Sequence, residues 1–277
     1  MLLLGLVAFS AIGGLVKLLS EDLSITQILL FRFGLASIPF IIMMPFNGGL
    51  QVMRVSNRMG LFIRSISGIT SLSLCFYTIA AIPLVDATAL AYAAPIFVVL
   101  LSIPCLGEKI GLQRWLAVFF GFIGILVISQ PSGGGWSLGY LSGITSAFFG
   151  AMVAIWLRKL ASTERTSTIA IYYNISGAIV FGCWTLFSGW TELSLEQWAL
   201  LLILGGIASM QQYLLTSAFR FSEASLLAPF DYVAMIIAAV LGYVFWNETP
   251  TFATIVGCCV IAGSGIFVAY RESLLRK

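Results

Sequence analysis

The sequence contains no histidine, few charged residues and no cysteine pair with a metal-site or redox-site spacing. Charged side chains make up 9% of the 277 residues, whereas a soluble domain carries about 25%, so most of the chain needs no water-facing surface. The absence of histidine excludes Ser-His-Asp triads and imidazole-dependent zinc sites. The five cysteines all lie in apolar runs without CxxC spacing, so we expect small apolar side chains and no metal or other cofactor.

The sequence also lacks a long polar stretch and a basic patch. Its longest segment without a strongly apolar run lies roughly between Asn47 and Arg58, which is too short for a soluble domain. The net charge of +3 comes from basic residues scattered among short loops, so no nucleic-acid partner is predicted. The apolar run from Met1 to Leu15 has no basic region ahead of it. We therefore expect a first transmembrane helix without a cytoplasmic lead-in, and not a secretory signal.

Most of the sequence consists of apolar runs, which contain most of its hydrophobic residues, 60% of the total. A helix that spans a bilayer needs about 20 mostly apolar residues. Turn residues and charges divide the chain into ten such spans, and this predicts an all-α integral membrane protein that interacts with the lipid bilayer. The predicted spans are 1–19, 25–46, 59–81, 86–106, 111–130, 137–157, 167–188, 196–219, 225–246 and 251–270.

Basic residues in the loops predict the orientation of these spans. If the N-terminus is cytoplasmic, twelve of the 14 Lys and Arg residues fall on the cytoplasmic side and only Lys17 on the outer side. Cytoplasmic loops carry an excess of Lys and Arg. Both termini are therefore predicted to be cytoplasmic, in a multi-pass protein of the inner (plasma) membrane.

Two glutamate-containing turns indicate an internal repeat. Glu108 follows span four and Glu248 follows span nine, 140 residues apart or about half the chain. Residues 85–90 and 222–227 form a second, weaker pair of similar segments. A five-span unit crosses the membrane an odd number of times, so its second copy must be inverted, as in many secondary transporters. The predicted halves are 1–131 and 132–277.

Several short motifs carry a family resemblance that extends over essentially the whole chain. The motifs are Phe31-Arg32-Phe33-Gly34, Arg64 with Gly68, Ala80-Ala81-Ile82-Pro83-Leu84, Ala228-Pro229-Phe230-Asp231-Tyr232 and the two glutamates. In these motifs the sequence resembles EamA-type transporters of the drug/metabolite transporter superfamily, which implies ten helices in two inverted five-helix repeats. Relatives in this superfamily carry amino acids, vitamins, nucleotides or drugs, so the resemblance does not identify the substrate.

Arg32 and Asp231 are the charged residues predicted to lie near the middle of the bilayer. Arg32 is about nine residues from the outer end of span two, and Asp231 about ten from the inner end of span nine. At about 1.5 Å per residue, both reach a similar depth. A charge there is costly unless it is paired or faces a wet cavity. Arg32 is a candidate for binding a carboxylate or phosphate and Asp231 for binding an amine or a proton. A structural ion pair between them is the alternative.

Polar residues at helical spacing supply the other candidates. Apolar surface with a few well-placed polar groups is typical of a small-molecule pocket. The same rows include Arg64 and Tyr173. The alternative for every member is a bond across packed helices or an interfacial position. The further substrate-binding candidates are Gln212, Asn174, Tyr92, Trp156, Ser71 and Tyr232.

The leading hypothesis is a secondary transporter that moves a small organic metabolite by alternating access around a midplane cavity. An arginine and an aspartate at similar depth favour an amino-acid-like zwitterion, with a vitamin, a nucleotide-like metabolite or a drug as alternatives. An intramembrane enzyme or a channel is a distant alternative, since the chain offers no catalytic constellation. Proton coupling, exchange and facilitated diffusion stay open. We expect a monomer or weak dimer, and we expect Glu108 and Glu248 to stabilise the N-termini of the helices that follow them.

Overall fold

The structure, a computed structural model, describes residues 2–47, 49–91, 93–106, 111–128, 137–221 and 233–275. The described residues form α-helices and two short 3-10 turns, and they contain no strand. The 3-10 turns are Pro45–Asn47 and Gly49–Met53. The helices are α1 (Leu2–Leu19), α2 (Ile25–Ile42), α3 (Arg58–Ala81), α4 (Leu84–Ala91), α5 (Ala94–Leu106), α6 (Leu112–Ile128), α7 (Leu138–Ala161), α8 (Thr166–Ser188), α9 (Leu195–Phe221), α10 (Val233–Trp246) and α11 (Phe252–Leu275).

Every predicted span contains at least one of these helices, which confirms the all-α membrane fold class. Five segments are long and apolar enough to cross a bilayer: Ile25–Ile42, Arg58–Ala81, Leu84–Cys105, Leu138–Ala161 and Thr166–Ser188. Shorter apolar helices cover Val7–Leu19, Val118–Ile128, Ile236–Trp246 and Phe252–Ser264. Many large apolar side chains are exposed, including Phe187 at 90% and Leu195 at 88%. Exposed apolar surface of this kind fits contact with lipid.

Two predicted spans differ from the helices observed. Span two was predicted to reach residue 46, but α2 ends at Ile42 and a 3-10 turn begins at Pro45, where proline cannot donate a helical hydrogen bond. Span four is not continuous, because α4 ends at Ala91 and α5 begins at Ala94. Pro95 explains this break, since a proline lacks the N–H and is tolerated in the first turn of a new helix.

The described helices group into two compact units, of which the first comprises residues 1–69 and 156–221. In this unit α2 packs against α8 and α9, and α1 packs against α9. A contact between two loops holds the segment before α3: Glu164 Oε1, in the loop after α7, accepts hydrogen bonds from the backbone amides of Ser56 and Asn57 at 2.7 and 2.6 Å. The Thr168 hydroxyl donates to the Val52 carbonyl at 2.7 Å. These bonds fix the segment that leads into α3.

The second compact unit comprises residues 70–155 and 222–277. Here α6 packs against α11, and α4 packs against α10 and α11. Glycines allow the first pair to approach closely: a Cβ added at Gly124 would lie 3.0 Å from the Gly257 carbonyl oxygen, and one at Gly257 would lie 2.8 Å from that of Gly124. Close approach through small residues is a common way to pack membrane helices.

The two compact units do not follow the predicted sequence halves. Each unit combines a segment from before residue 131 with one from after it, and the division falls within α3 and α7. Spatial grouping reports which helices are neighbours, whereas the repeat concerns similarity along the chain. The inverted repeat with halves 1–131 and 132–277 therefore stays a prediction.

Candidate functional site

The first unit buries Arg32 on the face of α2 that also buries Phe33 and Ala36. Arg32 is 3% exposed, and its Nη1 donates to Oδ1 of Asn174 on α8 at 3.1 Å. Asn174 is fully buried and its Nδ2 donates to the Ala170 carbonyl at 3.0 Å. This second bond fixes the amide so that its oxygen faces the guanidinium. Two residues predicted separately as binding candidates are thus direct partners.

An aromatic cluster forms the walls around Arg32. The Tyr173 ring, next to Asn174, packs edge-on against Phe33 with centroids 5.2 Å apart, and Phe33 stacks on Phe181 at 5.8 Å. The Arg32 Cζ lies 5.5 Å from the Tyr173 centroid and 4.8 Å from that of Phe33. Gly177 provides the space for this packing, since a Cβ there would lie 2.6 Å from Phe33 Cε1.

A second guanidinium lies on the same aromatic ring. Arg64 of α3 is 2% exposed, and its Cζ lies 3.8 Å from the Tyr173 centroid. Sequence reasoning placed Arg64 and Tyr173 in polar rows but not among the binding candidates. The available signals were the position of Tyr173 next to Asn174 and the family motif that joins Arg64 to Gly68. A Cβ at Gly68 would lie 2.7 Å from Tyr173 Cε2 and 2.8 Å from Arg64 Nη1, so glycine leaves room for the stacked pair.

Among the described residues, three buried guanidinium nitrogens in this cluster have no hydrogen-bond partner. They are Nε of Arg32 and both Nε and Nη1 of Arg64. An arginine at the centre of a membrane costs at least about 2.5–3.5 kcal/mol, and each unsatisfied donor adds to that cost. Aromatic faces and one amide recover part of it. The arrangement is therefore a cationic site with donors available to an anionic group.

The other described candidates make hydrogen bonds or ring contacts elsewhere. Gln212 is 2% exposed, and its Nε2 donates to the Thr216 hydroxyl one turn later at 3.1 Å. The Ser71 hydroxyl donates to the Ser146 carbonyl at 2.9 Å, which joins α3 to α7 within the second unit. The half-buried Trp156 ring lies 4.9 Å from Lys159 Nζ. None of these contacts reaches Arg32, so a binding role for Gln212, Ser71 and Trp156 stays a prediction.

Three further candidates, Asp231, Tyr232 and Tyr92, lie outside the described residues. The same holds for Glu108. The predicted pairing of Arg32 with Asp231 therefore also stays a prediction. Within the part of the chain that the structure describes, the hydrogen-bond partner of Arg32 is the Asn174 amide.

Glu248 stabilises a different helix from the one expected. The sequence placed its charge at the start of the following helix, but Oε2 accepts a hydrogen bond from the amide of Leu84, the first residue of α4, at 2.8 Å. The turn explains this: Asn247 has φ 56°, and its amide donates to the Tyr243 carbonyl at 3.1 Å, as in an αL C-cap. This turn points the carboxylate to α4, whose N-terminus also favours negative charge.

A buried carboxylate lies in the same α4 turn. Asp86 is 4% exposed, and it accepts hydrogen bonds from the Tyr140 hydroxyl at 2.7 Å and the Thr254 hydroxyl at 2.8 Å. These bonds join the start of α4 to α7 and α11 within the second unit. Hydrogen bonds to a charged group contribute about 1.5–3 kcal/mol each. We interpret Asp86 and Glu248 as residues that hold the start of α4 in place.

Comparisons with known proteins agree with this arrangement of helices. One solved crystal structure superposes with a TM-score of 0.70 at 19% sequence identity and covers 99% of both chains, which supports the fold. The pseudopaline exporter of Pseudomonas aeruginosa is 31% identical over 258 residues, which is 91% of this chain and 89% of that protein. The S-adenosylmethionine uptake transporter of Rickettsia bellii is 28% identical over 272 residues, covering 98% of this chain and 92% of that protein.

A third relative carries a different solute. The riboflavin transporter of Rhizobium johnstonii is 28% identical over 194 residues, which is 70% of this chain and 64% of that protein. The sequence model described as the EamA-like transporter family matches residues 1–130 and again residues 137–270. These relatives are transporters and not enzymes. The chain therefore belongs to the EamA-like transporter family and is a multi-pass membrane transporter.

Proposed function

We propose that the chain is a secondary transporter of a small organic metabolite that carries a carboxylate, with an amino-acid-like zwitterion favoured. The observation that carries this proposal is the buried Arg32, which is held by Asn174 and keeps Nε without a partner. A guanidinium matches a carboxylate in geometry and charge. The names of the relatives, an exporter and two transporters of small metabolites, support the substrate size.

The same proposal includes the transport cycle predicted from the sequence. Two inverted halves, 1–131 and 132–277, move alternately around a midplane cavity, with both termini in the cytoplasm. The match of the family model to each half in turn supports the repeat, and inverted repeats are common among such transporters. Asp231 is proposed to bind the amine of the solute or a coupling proton. The solute contributes a negative charge to Arg32, whose partner among the described residues is a neutral amide.

A vitamin or nucleotide-like solute is the second candidate. The observation that favours it is the aromatic wall formed by Tyr173 and Phe33 beside Arg32, since aromatic side chains pack well against planar rings. A neutral ring system would contact this wall without needing the guanidinium. The two candidates therefore predict different effects of removing the Arg32 charge.

Solute counterflow in proteoliposomes tests the proposal. The full chain is reconstituted and preloaded with one solute at a time from a panel of amino acids, riboflavin and S-adenosylmethionine. We expect counterflow for at least one carboxylate-bearing solute, and a loss of about tenfold or more in apparent affinity for Arg32→Gln, since one charge-assisted contact is removed. Arg32→Lys keeps the charge and should retain part of the affinity.

Arg158→Gln is the matched control, because this arginine is exposed in the last turn of α7. It should transport like the unaltered chain. If no solute of the panel shows counterflow, the transporter proposal for these solutes fails. If a solute is transported and Arg32→Gln leaves its affinity unchanged, Arg32 is not part of the binding site and the neutral-ring candidate gains support.

A further inference from the structure

Arg64 is a second cationic group that the proposed single-carboxylate contact does not use. It is buried, and its Nε and Nη1 have no hydrogen-bond partner in the part of the chain that the structure describes. It comes from α3, whereas Arg32 comes from α2 and Tyr173 from α8. Three separate helices therefore bring two guanidinium groups to one ring. Placing like charges together in a poorly solvated region is unfavourable unless an opposite charge joins them.

The contacts of Arg64 hold it in position but do not neutralise it. Its guanidinium stacks on Tyr173 at 3.8 Å from Cζ to the ring centroid. The Tyr173 hydroxyl donates to the Gly68 carbonyl at 3.4 Å, and the ring edge contacts Phe33. The ring is thus fixed at its polar end and along its side. A cation on a fixed aromatic face keeps its edge nitrogens available for a ligand.

We propose that Arg32 and Arg64 together bind a solute with two carboxylate groups, one at each guanidinium. This inference rests on the proposed transport function and specifies its substrate class. Two arguments favour a dicarboxylate over a single carboxylate. Among the described residues, the unpartnered nitrogens are distributed over both arginines, and one carboxylate can form a charge-assisted contact of this kind with only one guanidinium at full strength. Both guanidinium groups lie near the Tyr173 ring, with Cζ at 5.5 Å from its centroid for Arg32 and at 3.8 Å for Arg64, so one solute can reach both.

A matched pair of ligands tests this proposal on the full chain. Glutamate and glutamine differ in one terminal carboxylate, and so do glutarate and its monoamide. Binding of each is measured by thermal shift and by competition for counterflow in proteoliposomes. In the unaltered chain we expect each diacid to bind about tenfold or more tightly than its monoamide, since the monoamide forms one charge-assisted contact fewer.

Substitution of Arg64 then assigns the second carboxylate. Arg64→Gln should lower affinity for the diacids to about that for the monoamides while leaving the monoamides nearly unchanged. Arg64→Lys keeps a charge and should retain part of the preference. Arg54→Gln, at an exposed position of the loop before α3, is the control and should keep the full preference.

The outcomes separate this inference from the broader proposal. Equal or undetectable binding of diacid and monoamide in the unaltered chain overturns the dicarboxylate site, whether or not the Arg64 variants fold. If monocarboxylates are still transported in that case, the proposed function stands and Arg64 is a structural cation–π partner of Tyr173. If Arg64→Gln keeps the diacid preference, the second carboxylate binds elsewhere and the assignment to Arg64 is wrong.

Discussion

Replacing Asn174 by aspartate would place a carboxylate inside the cationic site without changing the size of the side chain. The Asn174 Oδ1 already accepts a hydrogen bond from Arg32 Nη1 at 3.1 Å. An aspartate there would form a buried ion pair and would occupy the charge that we propose for the solute. Its second oxygen would lose the bond that Nδ2 donates to the Ala170 carbonyl at 3.0 Å, at a cost of about 1 kcal/mol.

Asn174→Asp should change the stability of the chain little but should lower its affinity for the solute strongly. The new ion pair offsets the lost bond, so the free energy of unfolding should change by no more than about 2 kcal/mol. Affinity for a carboxylate solute should fall by about ten- to a hundredfold, which corresponds to one charge-assisted contact of about 1.5–3 kcal/mol. A transport defect without a matching loss of stability is the predicted signature.

The double variant with Arg32→Gln tests whether this effect depends on Arg32. Without the guanidinium, the introduced aspartate would be a buried, uncompensated charge, and the destabilisation should reach about 3–5 kcal/mol. Thermal unfolding in detergent, followed by tryptophan fluorescence, and counterflow in proteoliposomes are the two assays. The reasoning is refuted if Asn174→Asp destabilises the chain equally in both backgrounds, or if it leaves solute affinity unchanged.

Two further predictions concern packing in the first unit. Gly177→Ala should destabilise the chain by about 1–3 kcal/mol, because its methyl group would collide with Phe33 and a packed core tolerates little extra volume. Gly182→Ala on the same helix should be neutral, because its Cβ would lie 3.6 Å from the nearest side-chain atom. Equal thermal stability of the two variants would contradict the packing described. Glu164→Ala should leave two backbone amides without an acceptor, cost about 1–3 kcal/mol and speed limited proteolysis of the loop before α3. The exposed Glu192→Ala is its control, and an unchanged cleavage rate would show that Glu164 does not hold the loop.

The described contacts of the two arginines differ from those of a structural salt bridge, because they include no carboxylate. A buried ion pair between side chains satisfies itself and leaves nothing for a ligand. Here the hydrogen-bond partner of Arg32 among the described residues is a neutral amide, and Arg64 contacts an aromatic face. If the solute binds here as we propose, the cost of the buried charge falls when its anionic group binds. The cost of the buried charge would then differ between the empty and the loaded site. A ligand shifts a conformational equilibrium only through such a difference in free energy.

Hydropathy and motif alone determined the class of the molecule. A bilayer-spanning helix is a local property of about 20 apolar residues, so the ten predicted spans each contain a helix, and the family resemblance on residues such as Arg32 and Gly68 was confirmed. Helix ends were less certain. Proline interrupts the predicted fourth span at Pro95, whereas α2 continues through Pro39. The same residue type gives different outcomes because neighbouring helices and backbone contacts decide whether a kinked helix continues.

The partners of the polar residues were decided only by the tertiary structure. Arg32 and Asn174 are 142 residues apart and meet because α2 packs against α8. Glu248 reaches the amide of Leu84, 164 residues away, because α4 packs against α10. Sequence spacing predicts which residues share a face of one helix, but it does not predict which face of another helix lies opposite. The stacking of Arg64 on Tyr173 depends on which faces of two different helices lie opposite each other. The sequence identified both residues as polar, and only the fold brought them together.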